Sequence, residues 1–438
     1  MTEQSTALSR LEIPVAKQFL IIAVCLLITI VDGFDLLSIA IVAPLVARDW
    51  GLDPVELGVV FSSGLAGMGL GALFISPLGD MLGRKSAIII NLLLVAAGML
   101  GAAFSQDIYQ LAAARIFAGL GIGAMISNTT SLIMEYVPVK RRTLALGLMM
   151  VGNPIGNLSS GVVALFVIER AGWEALFIFG GVVTLALVPA AIFGIPESID
   201  YLVKRKPANA LARINQALRF VGERPMLHLP VIPRSEESGT RLTELFGGDL
   251  LKRTLLIGAI QFGFMFAYYI YVNWSPKIVS DLSGSDQTAV LISMSTFAGG
   301  IGGPLLVGLA VRKLGLTATT SFGFVVIAVG MTTFGLVPSW FMLLAAVSFA
   351  TGFTIYATQV PLLSLIAGSY PTEVRTSAIG ISFAIGRLGS VLGPIVAGFL
   401  LDNSAGRTAL FAVAALPMFL AALLVRRLPD SQAGRVQG

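Results

Sequence analysis

Apolar stretches of about twenty residues, the length at which an α-helix crosses roughly 30 Å of bilayer hydrocarbon, recur along the whole of this chain. Nothing else in the sequence constrains its fold as strongly. Twelve can be read, at 18–45, 57–77, 86–104, 108–134, 143–167, 175–195, 254–278, 288–310, 315–337, 341–367, 376–400 and 408–425. Hydrocarbon offers the backbone no hydrogen bonds, so each segment must satisfy its own N–H and C=O groups, and a helix does so. The chain is 56% hydrophobic and 12% charged, with a mean hydropathy of +0.87, which takes it out of the soluble class. The first apolar run is too long for a cleavable signal and lacks a small-residue cleavage site, so it is expected to remain as the first span. One cysteine, Cys25, and one histidine, His228, make neither an intramolecular disulfide nor a Cys/His metal cluster. No metal, no cofactor and no redox or zinc enzyme is expected.

Basic residues set the orientation. Arg10, Lys17, Arg84, Lys85, Lys140 to Arg142, the run between Lys204 and Arg253, Arg312, Lys313, Arg375, Arg426, Arg427 and Arg435 fall on one side of the spans. Arg48, Arg170, Lys277 and Arg407 fall on the other. By the positive-inside rule both termini are cytoplasmic, and the protein is placed as a multi-pass monomer in the inner (plasma) membrane. This topology accounts for the net charge of +5, which therefore gives no reason to invoke nucleic acid.

The halves echo one another. Pro138, Arg142, Thr143, Ala145 and Gly147 of "VPVKRRTLALG" recur as Pro371, Arg375, Thr376, Ala378 and Gly380 of "YPTEVRTSAIG". We therefore read residues 1–195 as a first six-helix bundle, 196–253 as a cytoplasmic central loop with a helix-like stretch "PANALARINQALRF", and 254–438 as a second bundle with a short tail. The expected fold class is an all-α membrane protein of twelve transmembrane helices in two pseudo-symmetric bundles. Duplication of this kind marks transporters that rock two bundles about a site near the midplane.

Asp32 and Asp35, in "VDGFDLLS", lie inside the first span, although an acid at the bilayer centre costs roughly 2.5 to 3.5 kcal/mol even on the lenient insertion scale. Three residues apart on a helix, they project about 60° from one another on one face. Burial and mutual repulsion disfavour the doubly ionised pair, which suits one of them to load and release a proton. The alternative is a structural role, with neutralisation by Arg115 or by backbone donors. Arg115 begins a run whose Gly119 and Gly123 have small-xxx-small spacing. Arg115 is also placed among the substrate-binding residues, as the candidate for the anion after Arg387; functional or architectural, it requires a carboxylate partner, and Asp35 is the first choice. Arg387, about twelve residues into the eleventh span, must face the bundle interior; it is assigned to a substrate anion, against a fixed bridge to a residue such as Glu135.

The seventh span, "QFGFMFAYYIYVNW", supplies Gln261, Tyr268, Tyr269 and Tyr271, of which Tyr268 is taken as a ring contact and Trp274 as interfacial. Asn128, Asn153, Asn157, Tyr356 and Gln359 are further polar groups at span depth expected to line the cavity. Asp80 and Arg84 after the second span, Glu135 and Arg142 after the fourth, and Arg375 before the eleventh are expected to form a charge network that locks an inner gate; topology alone would also put basic residues there.

"SPLGDMLGRK" (76–85) resembles the loop signature of the major facilitator superfamily, and "RIFAGLGIG" (115–123) resembles its fourth-span motif. Together with "DGFD", "EYVPVKRR", "IPES", "YPTEVR" and "GRLGSVLGP", they resemble the aromatic acid:proton symporter family over about Lys17 to Arg427. The chain departs from that loop signature at Ser76 and Met81, and the second-half copy carries Arg312 in place of an acid. The resemblance implies a proton-coupled importer of aromatic carboxylates, whose partners are protons, a small aromatic acid and the lipid bilayer. Hydroxybenzoate, protocatechuate, vanillate-like and larger lignin-derived acids all remain open. A proton-driven exporter on the same fold, and a membrane receptor for aromatic acids, are the rival readings. The tail after Arg427, "LPDSQAGRVQG", offers the receptor reading no signalling domain.

Overall fold

The computed structural model describes residues 13–207, 209–223, 225–229, 248–371, 374–403 and 406–428; the side chains of 139, 140, 143, 248, 249, 375 and 376 lie outside that description. The helices are α1 (Val15–Trp50), α2 (Pro54–Leu70), α3 (Leu78–Leu82), α4 (Arg84–Ala103), α5 (Ile108–Tyr136), α6 (Val139–Ala171), α7 (Glu174–Gly194), α8 (Ile199–Arg205) and α9 (Ala210–Phe220). They continue with α10 (Gly248–Ser283), α11 (Asp286–Leu314), α12 (Leu316–Leu336), α13 (Phe341–Gly368), α14 (Arg375–Asp402) and α15 (Arg407–Val425). Among the described residues there is no strand, and 12 helical segments are long and apolar enough to cross a membrane. They match the spans expected from hydropathy, most of them running past the apolar core at one or both ends. The second span includes α2, a π-helical turn at Gly71–Ile75, and α3.

Local chemistry sets the ends. Asp107 caps α5 by accepting the Gln110 amide, Ser285 caps α11 by accepting that of Thr288, and Ser198 caps α8 by accepting that of Tyr201. Gly83 breaks α3 from α4 at a φ of 102°, a conformation that strongly favours glycine.

The helices gather into two compact units. One holds the described residues within Met1–Asp35, Ala66–Gly156 and Glu174–Ser238; the other holds those within Leu36–Leu65, Asn157–Trp173 and Gly239–Gly438. In the first unit α2 and α5 touch through glycine: a Cβ on Gly123 would sit 1.9 Å from the Met68 carbonyl oxygen. In the second, α11 and α13 do the same, a Cβ on Gly352 falling 1.9 Å from the Thr296 carbonyl oxygen. Lipid is as apolar as leucine, so helices in a bilayer associate through such close packing rather than by escaping water. The first unit also holds a core at the ends of its spans. There the apolar face of α9, Ile214, Ala217 and Leu218, joins Ile21, Tyr136, Ile199 and Leu202. The helix-like stretch of the central loop is thus a helix docked by its apolar face.

Candidate functional site

The "DGFD" turn of α1 is shaped by its glycine. A Cβ on Gly33 would lie 2.1 Å from the Asn153 carbonyl oxygen, so only glycine lets α1 and α6 meet there. The aspartates on either side are both buried, Asp32 at 6% exposure and Asp35 at 0%. Arg115, on α5 and 3% exposed, grips Asp35 with both terminal nitrogens: Nη1 donates to Oδ1 at 2.6 Å and Nη2 to Oδ2 at 2.8 Å. Its Nη2 also reaches the Asp35 carbonyl oxygen at 3.4 Å. Phe177 of α7 backs the guanidinium at 5.8 Å, and Phe34 packs on Phe179 at 5.7 Å between centroids. The result is a buried, bidentate ion pair with a second carboxylate one helical turn away. Arg115 Nε is left without a hydrogen-bond partner, so the guanidinium has one donor in hand.

The second unit gathers rings instead of charges. Tyr268 of α10 and Tyr356 of α13 bring their hydroxyls to 3.2 Å with rings edge to face at 6.4 Å. Tyr269, Phe264 and Phe297 surround them at centroid distances of 4.9, 6.3 and 6.5 Å. Half-buried Arg387 of α14 lies within electrostatic reach of the Tyr268 phenol. Gln359, exposed, follows Tyr356 by one turn on the same face. Gln261 is buried with its Oε1 unpartnered. Tyr271 belongs elsewhere, donating to Ser348 at 3.3 Å and packing on Phe334 and Phe411. Trp274 is fully buried, its Nε1 donating to the Pro394 carbonyl at 3.2 Å; it is a packing group and not an interfacial one.

Asn128 is not brought to the Arg115–Asp35 pair. Thirteen residues along α5 is about 20 Å of helix, and its side chain rests on the 76–85 loop, with Oδ1 where a Cβ of Gly79 would be. Ser76, where the chain departs from the loop signature, hydrogen-bonds Ser127 at 2.5 Å on the same helix. Asp80 and Arg84 pair at 2.6 Å, and Arg205 of α8 donates to the Asp80 carbonyl at 3.1 Å. Glu135 accepts the Asp200 amide at 2.9 Å, whereas Arg142 turns back on its own loop and donates to the Val137 carbonyl at 3.0 Å. The Arg375 side chain lies outside the described residues.

The hub of this region is a residue that sequence reasoning did not single out. Glu197, 9% exposed, accepts the Lys85 amide at 3.1 Å, the Ser198 amide at 2.9 Å and Arg213 at 3.5 Å, while its carbonyl accepts the Tyr136 hydroxyl at 2.5 Å. Its carboxylate fills the place of a Cβ on Gly83. The only signal for it was its position in "IPES". In the second unit, Tyr370 of "YPTEVR" donates to Thr254 at 3.1 Å. Burial raises its phenol above the usual range, with Thr254 and Arg253 pulling it back, so it remains a protonated donor.

Within the second unit, the parts of α1, α2 and α6 beyond Asp35 are fastened to α10, α11 and α14. Arg48 pairs with Asp286, and Ser62 donates to the Val391 carbonyl at 2.6 Å. Gly58 and Gly398 admit the Pro394 and Pro54 backbones, and Phe61 meets Trp274 edge to face at 5.4 Å. These contacts lie at the end of the spans opposite the arginine- and lysine-rich loops.

Comparison with known proteins agrees with this architecture. The family model described as Major Facilitator Superfamily matches residues 25–315 and 257–438. The chain is 30% identical over 413 residues to a gallate transporter of Pseudomonas putida, covering 94% of this chain and 91% of the relative. It is 30% identical over 417 residues to the 4-hydroxybenzoate transporter PcaK of Acinetobacter baylyi, covering 93% and 90%. It is 28% identical over 410 residues to a 3-(3-hydroxy-phenyl)propionate transporter of Escherichia coli, covering 94% of each. Among solved structures, a D-xylose-proton symporter superposes with a TM-score of 0.73 at 18% identity, over 96% of this chain and 99% of that one. The inward open conformation of the xylose transporter XylE from E. coli gives 0.73 at 17%, over 95% and 97%. At that identity the likeness speaks for the fold.

Proposed function

The chain belongs to the major facilitator superfamily, as a multi-pass membrane transporter and not an enzyme, and from that premise we propose that it imports aromatic carboxylates together with protons. The observation that carries the reading is the buried Arg115–Asp35 pair with Asp32 one turn away. A proton delivered to this pair replaces one of its two hydrogen bonds and releases the guanidinium, and its departure restores the clamp. Such a group has two states that differ by one proton, which is what coupling requires. Arg387, Tyr268, Tyr356 and Gln359 form the substrate side: the guanidinium takes the carboxylate, the rings stack on or abut the aromatic face, and the polar groups meet ring hydroxyls. We assign Asn128 to holding the 76–85 loop. Asp80, Arg84, Glu135, Arg142 and Arg375 stay assigned to the inner gate, now with Glu197 at its centre. The Arg48–Asp286 end becomes the outer gate once the positive-inside rule puts both termini in the cytoplasm of a cell with this protein in its inner membrane.

Three relatives of this chain are transporters of gallate, 4-hydroxybenzoate and 3-(3-hydroxy-phenyl)propionate, which share a benzene ring, a carboxylate and a hydroxyl. The test is a panel of such acids, with an aliphatic acid and a sugar as controls, in proteoliposomes under an inward proton gradient. Accumulation of hydroxylated benzoates or phenylpropionates that collapses with a protonophore and ignores sodium supports the reading. Uptake that follows a sodium gradient at constant pH removes it.

A further inference from the structure

A cavity of about 370 Å³ opens where the start of α4, the end of α7 and α9 come together. Its two walls differ in kind. Ile192 and Phe193, the latter 78% exposed, form one at the end of a membrane span; Lys85, Arg213 and Gln216 form the other. The second wall belongs largely to α9, whose opposite face is buried in the core, so the helix is held at the depth where hydrocarbon gives way to water. The charge balance is positive. Glu197, which also lines the cavity, is engaged by the Lys85 and Ser198 amides and approached by Arg213 at 3.5 Å. Against its one negative charge stand Lys85 and Arg213, and Lys17 lies 4.4 Å above the ring of Phe220, another lining residue. Lys85 donates through Nζ to the Ile192 carbonyl, which draws its ammonium to the apolar wall and leaves two of its three hydrogens to other acceptors.

We propose that this cavity binds the headgroup of an anionic phospholipid of the cytoplasmic leaflet, of the phosphatidylglycerol type. Lys85 and Arg213 take the phosphodiester, Gln216 meets the headgroup hydroxyls, and an acyl chain runs along Ile192 and Phe193. A soluble phosphate satisfies only the cationic wall. The exposed aromatic at the mouth is what selects an amphiphile, because burying a ring against a chain is favourable and a free anion leaves it in place. The cavity shares Glu197 with the proposed inner gate but no residue with the Arg115–Asp35 pair, and a readout of lipid binding rather than transport keeps its failure distinguishable from that of the transport reading.

Native mass spectrometry of the full chain, in mild detergent with equimolar phosphatidylglycerol and phosphatidylcholine, tests it. Retained phosphatidylglycerol is expected to exceed phosphatidylcholine, and Arg213→Gln is expected to cut that excess about fivefold, the effect of one basic residue at an anionic surface. Arg213→Lys should keep most of it. Gln216→Glu, at an exposed position, keeps the test open should Arg213→Gln fold poorly; it sets a repelling carboxylate in the cavity and should give a similar loss. Phe193→Ser should weaken retention of the lipid, and millimolar glycerol phosphate should not displace it. Equal retention of the two lipids, or an excess unchanged in Arg213→Gln and Gln216→Glu, overturns the proposal. Displacement by glycerol phosphate, with Phe193→Ser silent, overturns it in favour of a soluble anion.

Discussion

In the first half of the chain, the first and fourth spans, α1 and α5, join through a carboxylate and a guanidinium, Asp35 and Arg115, 80 residues apart; in the second half, the seventh and tenth, α10 and α13, join through two phenols, Tyr268 and Tyr356, 88 residues apart. The junction is the same in the duplicated plan and the chemistry is not. A buried ion pair is strong only while both partners are present, and one proton changes it. A phenol pair is neutral, and the net hydrogen bond between its hydroxyls is worth only about 1 kcal/mol. Duplication supplied two corresponding helix pairs; the first is joined by a charge pair, and the proposed reading gives the second to recognition.

The largest effect that can break this comparison is removal of one charge. Arg115→Ala strands the Asp35 carboxylate in a fully buried site, which typically costs about 3 to 5 kcal/mol, so thermal unfolding should drop by many degrees and uptake should vanish. The double variant Arg115→Gln with Asp35→Asn should recover most of the stability and none of the proton-driven uptake. A double variant that accumulates substrate would show the pair to be architecture alone.

Next comes Arg387→Ala. Losing one partner of a buried charge-assisted contact costs about 2 to 5 kcal/mol, so affinity for an aromatic carboxylate should fall by well over tenfold. Lysine should restore part of it, because a point charge lacks the planar fork. The amide of the same acid should bind weakly to both forms. Equal losses for acid and amide would move the anion site to Arg115.

Tyr268→Phe and Tyr356→Phe should be milder. A net hydrogen bond is worth about 1 kcal/mol, so each should weaken substrate binding roughly fivefold with little change in unfolding temperature. Because the two hydroxyls share one contact, the double variant should fall short of the product. A collapse in stability instead would make this junction as structural as its counterpart.

The smallest effect is expected at the proposed outer gate, where Arg48 and Asp286 form an exposed pair, with the side chains 57% and 30% accessible. Such pairs are worth less than about 1 kcal/mol. Arg48→Gln should therefore leave unfolding unchanged and alter exchange rates by no more than a few fold, read by counterflow.

The frame was legible in the sequence because hydropathy is local: a span is recognised from twenty consecutive residues. The partner of Arg115 was legible because few carboxylates lie deep enough in the spans to meet it. Depth was harder. Asn128 reads as a polar group inside a span, yet α5 extends well past the apolar core, and its last turns carry Asn128 to the loop beside Gly79. Glu197 was hidden for another reason. Its partners Lys85, Arg213 and Tyr136 come from three other helices, and no spacing along the chain records that meeting. Trp274 shows the same limit, since its neighbours Phe61 and Pro394 are far away in sequence.

The most direct test of charge handling in the first half is substrate-driven proton entry into proteoliposomes, followed with an external pH electrode as an aromatic acid enters. Wild type should alkalinise the medium on addition of substrate. Asp32→Asn, and Asp35→Asn combined with Arg115→Gln so that no buried charge is stranded, should each abolish the proton signal while the protein remains inserted and folded, because asparagine keeps the volume and cannot carry the proton. Proton entry at the wild-type level in both variants would contradict the account.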